Sequence, residues 1–238
     1  MSFDFNLFLS ALFSSEFAAG AGISLVLAIL AQLLAVLLGF LLALVRMSSH
    51  PVVRSLSGAY VWFFRAIPTL IILLVIWNAL PQVITPLRGE WFTPFIAALI
   101  GLSLTEAAYM AEILRSALNS VDSGQALAGR ALGMTPAQVM LKVTLPQVIR
   151  VALPPTGNEF IGMVKFTSLA SVISLTELLA TAEARIAQTF RYAEMYSAAV
   201  IYYLIIVSIL MFVQRNVEIK YRWSRKLPAR AARIKVAQ

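Results

Sequence analysis

Residues 22–45 read GISLVLAILAQLLAVLLGFLLALV, an apolar run broken by one strongly polar side chain, Gln32. A helix that crosses a bilayer needs about 20 mostly apolar residues. This stretch therefore predicts a membrane span, and the rest of the chain is read outward from it. The composition agrees: of 238 residues, 60% are hydrophobic and 13% charged, where a soluble domain shows about half and about a quarter. A water-soluble enzyme and a disordered chain are both excluded on that balance. With no cysteine there is no disulfide, thiolate metal site or cysteine nucleophile. The single histidine, His50, rules out a multi-histidine metal centre. No catalytic residue and no metal ligand is expected.

Four further stretches resemble the first less closely. Residues 60–80 form a second span carrying Arg65 and Pro68 near its start, and residues 95–114 a third containing Glu106 and Glu112. Residues 193–213 are rich in Ile, Val and Tyr and form the last. Between them, residues 166–182 hold Thr167, Ser168, Ser171, Ser174, Thr176, Glu177 and Thr181. Such a polar helix suits a place among other helices or against water rather than lipid, where unsatisfied polar groups are costly. The expected fold is an all-α integral membrane protein of about five transmembrane helices. Residues 1–21 contain Asp4 and Glu16 but no basic stretch, and are read as a retained segment rather than a cleaved signal peptide.

The chain is basic, with 19 Lys and Arg against 11 Asp and Glu, and the placement of the charges gives that excess its meaning. Five spans put the two ends on opposite sides. Arg46, Arg54, the basic residues of 115–165 and the eight after residue 213 share one side, whereas Arg88, Arg185 and Arg191 fall on the other. The positive-inside rule then predicts an outer N-terminus and a cytoplasmic C-terminus. The organisation read from this is an extracytoplasmic segment 1–21, a transmembrane domain 22–213 and a basic cytoplasmic tail 214–238. Tail arginines and lysines serve topology and contact with anionic lipid. Nucleic acid is not expected as a partner, because aromatic interleaving in the tail stops at Tyr221 and Trp223.

The cytoplasmic segment, about residues 115–165, is too structured for a mere connector. A short helix over residues 125–132 is expected to stop at Gly133. A second starts with Thr135 as N-cap and Pro136 at the first helical position, and runs to about Val143, ahead of Leu145-Pro146. Two short helices hinged at a glycine make a rigid knob.

Within this segment stand Leu127-Ala128-Gly129, three residues, Gly133, nine residues, Val143, one residue, and Leu145-Pro146. That spacing resembles the EAA loop of ABC importer permeases. Phe64-Arg65-Ala66-Ile67-Pro68 is similar to the Arg-x-x-Pro element of the polar amino acid permeases in that family. Residues 107–115 with Gly124-Gln125, and Asn158-Glu159 followed by Lys165-Phe166-Thr167-Ser168-Leu169, resemble further signatures of the same subfamily. The resemblance implies a type I importer permease bundle in the bacterial inner membrane, working by alternating access. It also implies a coupling helix that docks on an ABC ATPase dimer, with Gln125, Leu127, Ala128, Gly129, Gly133, Leu145 and Pro146 as coupling residues. The other implied partners are a second permease, an extracytoplasmic solute-binding protein and a polar amino acid substrate. ATP and magnesium would be used by the partner ATPase, and this chain would bind no cofactor. No Gly-rich loop ending in Gly-Lys-Ser/Thr is present, so ATP hydrolysis is not expected of it. One departure is Leu127-Ala128-Gly129 where the family has Glu-Ala-Ala, with Asp122 the nearby carboxylate. A heterodimer, whose second permease brings a complete loop, is favoured over a homodimer on that ground.

Ionisable and hydroxyl side chains in spans are candidates for the substrate pathway: Arg65, Glu106, Tyr109, Thr167, Ser168, Ser171 and Glu177, with Pro68 as a helix break. Arg65 either anchors that break or pairs with a carboxylate. Glu106 and Glu177 face each other, a shared cavity or a basic side chain, and a structural ion pair competes with an amine-binding role. Glu112 and Arg115, three apart, form a local pair. An alternative from another class is an ion-coupled carrier or small cation channel that handles cations on Glu106 and Glu177.

Overall fold

The computed structural model describes residues 3–221. Of the basic tail, Arg222, Arg225, Lys226, Arg230, Arg233 and Lys235 lie outside the described residues. Side-chain oxygens start many of the helices by accepting otherwise unpaired N–H groups. Asp4 caps α1 (Phe5–Leu12), with Leu7 N–H donating to its carboxylate at 3.0 Å. Ser14 caps α2 (Ser15–Arg46) and Thr93 caps α5 (Pro94–Asn119). Helices α3 (Pro51–Ala66) and α4 (Thr69–Val83) lie between them. Then come α6 (Ser123–Ala131), α7 (Pro136–Ile173), α8 (Leu178–Thr189) and α9 (Tyr192–Tyr221).

α2, α5 and α9 are each long and apolar enough to span a membrane alone, and the bent pairs α3–α4 and α7–α8 bring the total to as many as five. The expected span 22–45 lies inside α2, which starts seven residues earlier at Ser15, and 95–114 and 193–213 lie inside α5 and α9. α2 and α5 form the most extensive pairing. Lipid tails are as apolar as leucine, so helices associate through close packing of small residues. Ala28, Ala31, Ala35 and Ala43 of α2 and Ala97, Ala98, Ala107 and Ala111 of α5 are fully buried. A Cβ at Gly39 would stand 2.5 Å from Met110 Cβ and 3.0 Å from Ala111 N, so the backbones meet there through a glycine. Leu33, Leu37 and Leu41, on the opposite face of α2, are exposed.

Three sequence expectations need correction. Residues 60–80 are not one continuous helix: α3 ends at Ala66, and α4 leaves at 102°. Pro68 pushes Ile67 into extended backbone (φ −97°, ψ 132°) and offers no N–H to continue the helix. Residues 166–182 are not one helix either. α7 tightens into a 3-10 turn at Thr167–Ile173, Ser174 takes a left-handed conformation (φ 65°), and α8 departs at 47°. Three of the hydroxyls that mark this stretch are bonded to the preceding turn, Thr167 donating to Val164 O at 2.8 Å, Ser168 to Lys165 O at 2.7 Å and Thr181 to Glu177 O at 2.8 Å. Such side chains compete with the regular helix ladder. The helix begun at Pro136 does not stop before Leu145-Pro146. A π turn at Met140–Thr144 carries it into the long stretch Leu145–Phe166, where Pro146 sits at the second position. Pro154 and Pro155 lie inside that stretch, and the Pro154 carbonyl accepts from Gln214 Nε2 of α9 at 3.2 Å.

Candidate translocation site and coupling knob

α5 and α7 present matching faces. Leu102, Glu106 and Tyr109 recur at helical spacing on α5, as do Glu159, Met163 and Phe166 on α7. Between them lies a cavity of about 150 Å³, completed by Thr105 and by Thr69 just past the Pro68 break. Glu106 is 4% exposed, and its Oε1 has no hydrogen-bond partner among the described residues; Thr105 Oγ1 shares that state. The Arg65 guanidinium, at the end of α3, stands over the Tyr109 ring, 5.3 Å from its centroid. The site therefore joins two carboxylates, two hydroxyls and an aromatic ring under a cation, with apolar walls.

Of the candidates read from sequence, the structure gathers Glu106, Tyr109, Arg65 and the Pro68 break. Thr167 is fully buried, and its hydroxyl, like that of Ser168, is turned back onto its own helix. Ser171 is half-buried in the 3-10 turn. Glu177 does not line this cavity. It caps α8, accepting from Ala180 N–H at 2.8 Å and Leu179 N–H at 3.0 Å, and it also accepts from the Ser24 and Tyr203 hydroxyls. A shared cavity, one of the arrangements the sequence leaves open for Glu106 and Glu177, is not the one found. The sequence marks Glu159 only as part of a motif. Its spacing to Met163 and Phe166 was the available signal, whereas Thr69, Thr105, Met163 and Phe166 carry no chemistry that marks them in a sequence.

The knob is built as its punctuation demands. Asp122 starts α6, accepting from Gly124 N–H at 2.7 Å, so this carboxylate is a cap. At the other end Gly133 N–H donates to Arg130 O (2.9 Å) and Met134 N–H to Gly129 O (3.1 Å), the paired closure of a Schellman motif. Gly133 takes φ +80°, a conformation glycine adopts without strain. Thr135 and Gln138 form a reciprocal capping box at the start of α7. Gly129 is buried, and a Cβ there would come 3.1 Å from Val139 Cγ2 and 3.4 Å from Met134 Sδ. Gln125, Leu127, Ala128 and Pro146 are exposed and Leu145 is half-buried. Leu132 and Leu141, missed in the sequence, are exposed as well, Leu132 to 83%. At the nearby end of the bundle Glu112 bridges Arg46 of α2 at 2.5 Å and Arg115 at 2.8 Å, extending the expected local pair to a second helix.

Residues 35–223 match the family of binding-protein-dependent transport system inner membrane components. The chain belongs to that family. This inner membrane component is similar to YxeN, a probable amino-acid permease protein of Bacillus subtilis (strain 168). The two are 43% identical over 192 residues, covering 81% of this chain and 85% of the relative. It is 37% identical over 227 residues to ArgU, an arginine transport system permease protein of Corynebacterium glutamicum, covering 91% of this chain and 72% of the relative. A crystal structure of an amino acid ABC transporter with histidines has a chain of 34% identity and TM-score 0.81, covering 92% of this chain and 100% of that one. The component thus has the type I ABC importer permease fold and is a multi-pass inner membrane transport subunit, not an enzyme. Its family works with a binding protein and leaves ATP hydrolysis to a separate subunit.

Proposed function

We propose that this chain is a permease subunit of an ATP-driven ABC importer for polar L-amino acids, with the cavity at Glu106 on the translocation pathway. The names of YxeN and ArgU support the amino-acid class. The observation that carries the coupling role is the knob: two capped helices locked together at Gly129 and Gly133, with Leu127, Leu132 and Leu141 bare at its surface. Exposed leucines on a rigid projection at a bundle end mark a docking surface. Closure of an ATP-binding dimer against such a projection moves the helices as a body, which alternating access requires. The partners in this reading are two ATPase copies that use ATP and magnesium, an extracytoplasmic binding protein and a second permease. The second permease is a different chain, because no carboxylate opens this loop and Asp122 is a cap. The N-terminus is outside and the tail in the cytoplasm.

The ion-coupled alternative is not favoured, since its second carboxylate, Glu177, is bound to two backbone N–H groups and two hydroxyls. Coupling is tested with Leu132→Glu, which puts a charge in the docking face and leaves Gly133 intact. ATPase recovered with the tagged permease is expected to fall at least about tenfold, equivalent to about 1.4 kcal/mol, with ATP-driven uptake lost in proportion. Undiminished recovery and uptake would reject the knob as the docking element.

A further inference from the structure

Two adjoining hollows lie between α7 and α9 and share no residue with the Glu106 cavity. One, of about 500 Å³, is lined by Arg150 of α7, by Glu218 and Tyr221 of α9, and by Ser120 at the end of α5. The other, of about 160 Å³, is walled by Phe160 and Ile161 of α7 and Leu210 and Val213 of α9. Leu153 and Glu218 belong to both. α9 carries no charge from Met195 to Gln214, and its charges resume at Arg215, Glu218 and Lys220. On α7, Arg150 is the last charge before Glu159. The charged hollow therefore sits at the water boundary of the span, at the knob end, and the apolar one continues from it into the hydrocarbon layer. Gln214 Nε2 donates to Glu218 Oε1 at 2.7 Å and to Pro154 O at 3.2 Å, which fixes that carboxylate where the hollows meet. Pro155 has no N–H, so the Val151 carbonyl lacks its regular helical donor, and Val151 lines the charged hollow.

A charged compartment that opens into an apolar groove at the membrane boundary has the shape of a lipid headgroup and its chain. We infer that it seats one phospholipid with a zwitterionic, primary-amine headgroup: Arg150 takes the phosphate, Glu218 and the Val151 carbonyl take the ammonium, and an acyl chain lies in the groove between α7 and α9. A basic pocket at this depth suits an anionic headgroup, but the carboxylate of Glu218 beside Arg150 opposes one. A primary ammonium brings three N–H donors to the two acceptors, whereas a choline headgroup brings none. Discrimination thus comes from what the wrong headgroup leaves unsatisfied. The seated lipid braces α9 against α7, the helix that rises from the knob.

The tagged protein, purified in mild detergent with its partner subunits, is stripped of lipid and titrated with dioleoyl phosphatidylethanolamine, phosphatidylcholine or phosphatidylglycerol, and bound lipid is counted by native mass spectrometry. The ethanolamine lipid is expected to bind at least about tenfold more tightly than the other two, and to raise the thermal unfolding temperature where they do not. Glu218→Gln should bring the ethanolamine lipid down to the level of the choline lipid. Arg150→Gln should weaken all three several-fold, and Val213→Trp, which fills the groove, should do the same without touching a charge. Equal binding of the choline and ethanolamine lipids by the natural protein overturns the inference, as does a preference that survives Glu218→Gln, or no bound lipid at all. If Glu218→Gln fails to fold, the Val213→Trp variant and the comparison of headgroups on the natural protein decide. A Val213→Cys thiol that cross-links to a second permease instead of standing against lipid assigns the groove to a subunit interface and equally overturns it.

Discussion

Glu177 shows how much a single side chain is asked to hold at a break between helices. Ser174 turns left-handed, the chain reverses toward α8, and the first N–H groups of that helix point into a buried region with no preceding turn to receive them. Glu177, fully buried, takes two of them and draws in Ser24 from α2 and Tyr203 from α9. One carboxylate thus ties three helices at the same depth. A fold role of this kind and a transport role separate experimentally. Glu177→Ala removes the cap and leaves two hydroxyls without their acceptor, a loss of about 2 kcal/mol. A clear drop in thermal unfolding temperature in detergent is expected, while uptake per folded transporter stays near that of the natural protein. Glu177→Gln, which retains one acceptor oxygen, should lose less. Abolished transport at unchanged stability would instead return Glu177 to the pathway.

Between elements, the α2–α5 crossing rests on the small residues that let two backbones touch. Gly39 and Gly22 on the same helix make the comparison internal. Gly39→Ala places a methyl 2.5 Å from Met110 Cβ and against the α5 backbone, which must shift, at a cost of about 1–3 kcal/mol. Gly22→Ala meets nothing within 4 Å, and with alanine the better helix former it should be neutral or stabilising by up to about 1 kcal/mol. Thermal unfolding of the two variants side by side checks the contrast; equal effects would mean that α2 and α5 do not meet at Gly39. The elements themselves were legible where an apolar run is unbroken, as in α2, α5 and α9. The knob was legible because Gly133, Thr135 and Pro136 act through local backbone chemistry. The break at Pro68 is legible from the proline though its angle is not, and the break at Ser174 is hidden because a hydroxyl-rich window averages over a bend. Within the cavity, each helix face could be read from its spacing, yet nothing in the sequence says that the Glu106 face of α5 meets the Glu159 face of α7. That pairing is tertiary, and so is the diversion of Glu177 into a cap.

Charge at the two ends of the bundle gives the whole molecule a direction. α2 has 32 residues, about 48 Å at about 1.5 Å per residue, more than a hydrocarbon core of about 30 Å. Its terminal charges, Glu16 paired with Arg185 and Arg46 paired with Glu112, therefore both reach beyond the apolar layer. The Glu16 end also holds Asp4, whose N–H donates to Glu194, and the Arg191–Glu194 pair. Arg46, Glu112 and Arg115 mark the other end, where α5 leads through Ser120 into the knob. If basic residues set the orientation, the knob end is cytoplasmic, and the absence of cysteine makes that measurable without background. Phe13→Cys and Leu132→Cys place single thiols at residues 81% and 83% exposed, one between α1 and α2 and one on the knob. A membrane-impermeant maleimide applied to spheroplasts should label the first and spare the second. In inside-out vesicles the pattern should invert, with the Leu132→Cys thiol protected wherever the ATPase is bound. Labelling of that thiol from outside would put the knob beyond the reach of any ATP-hydrolysing partner, and a lever on that side has nothing to push it.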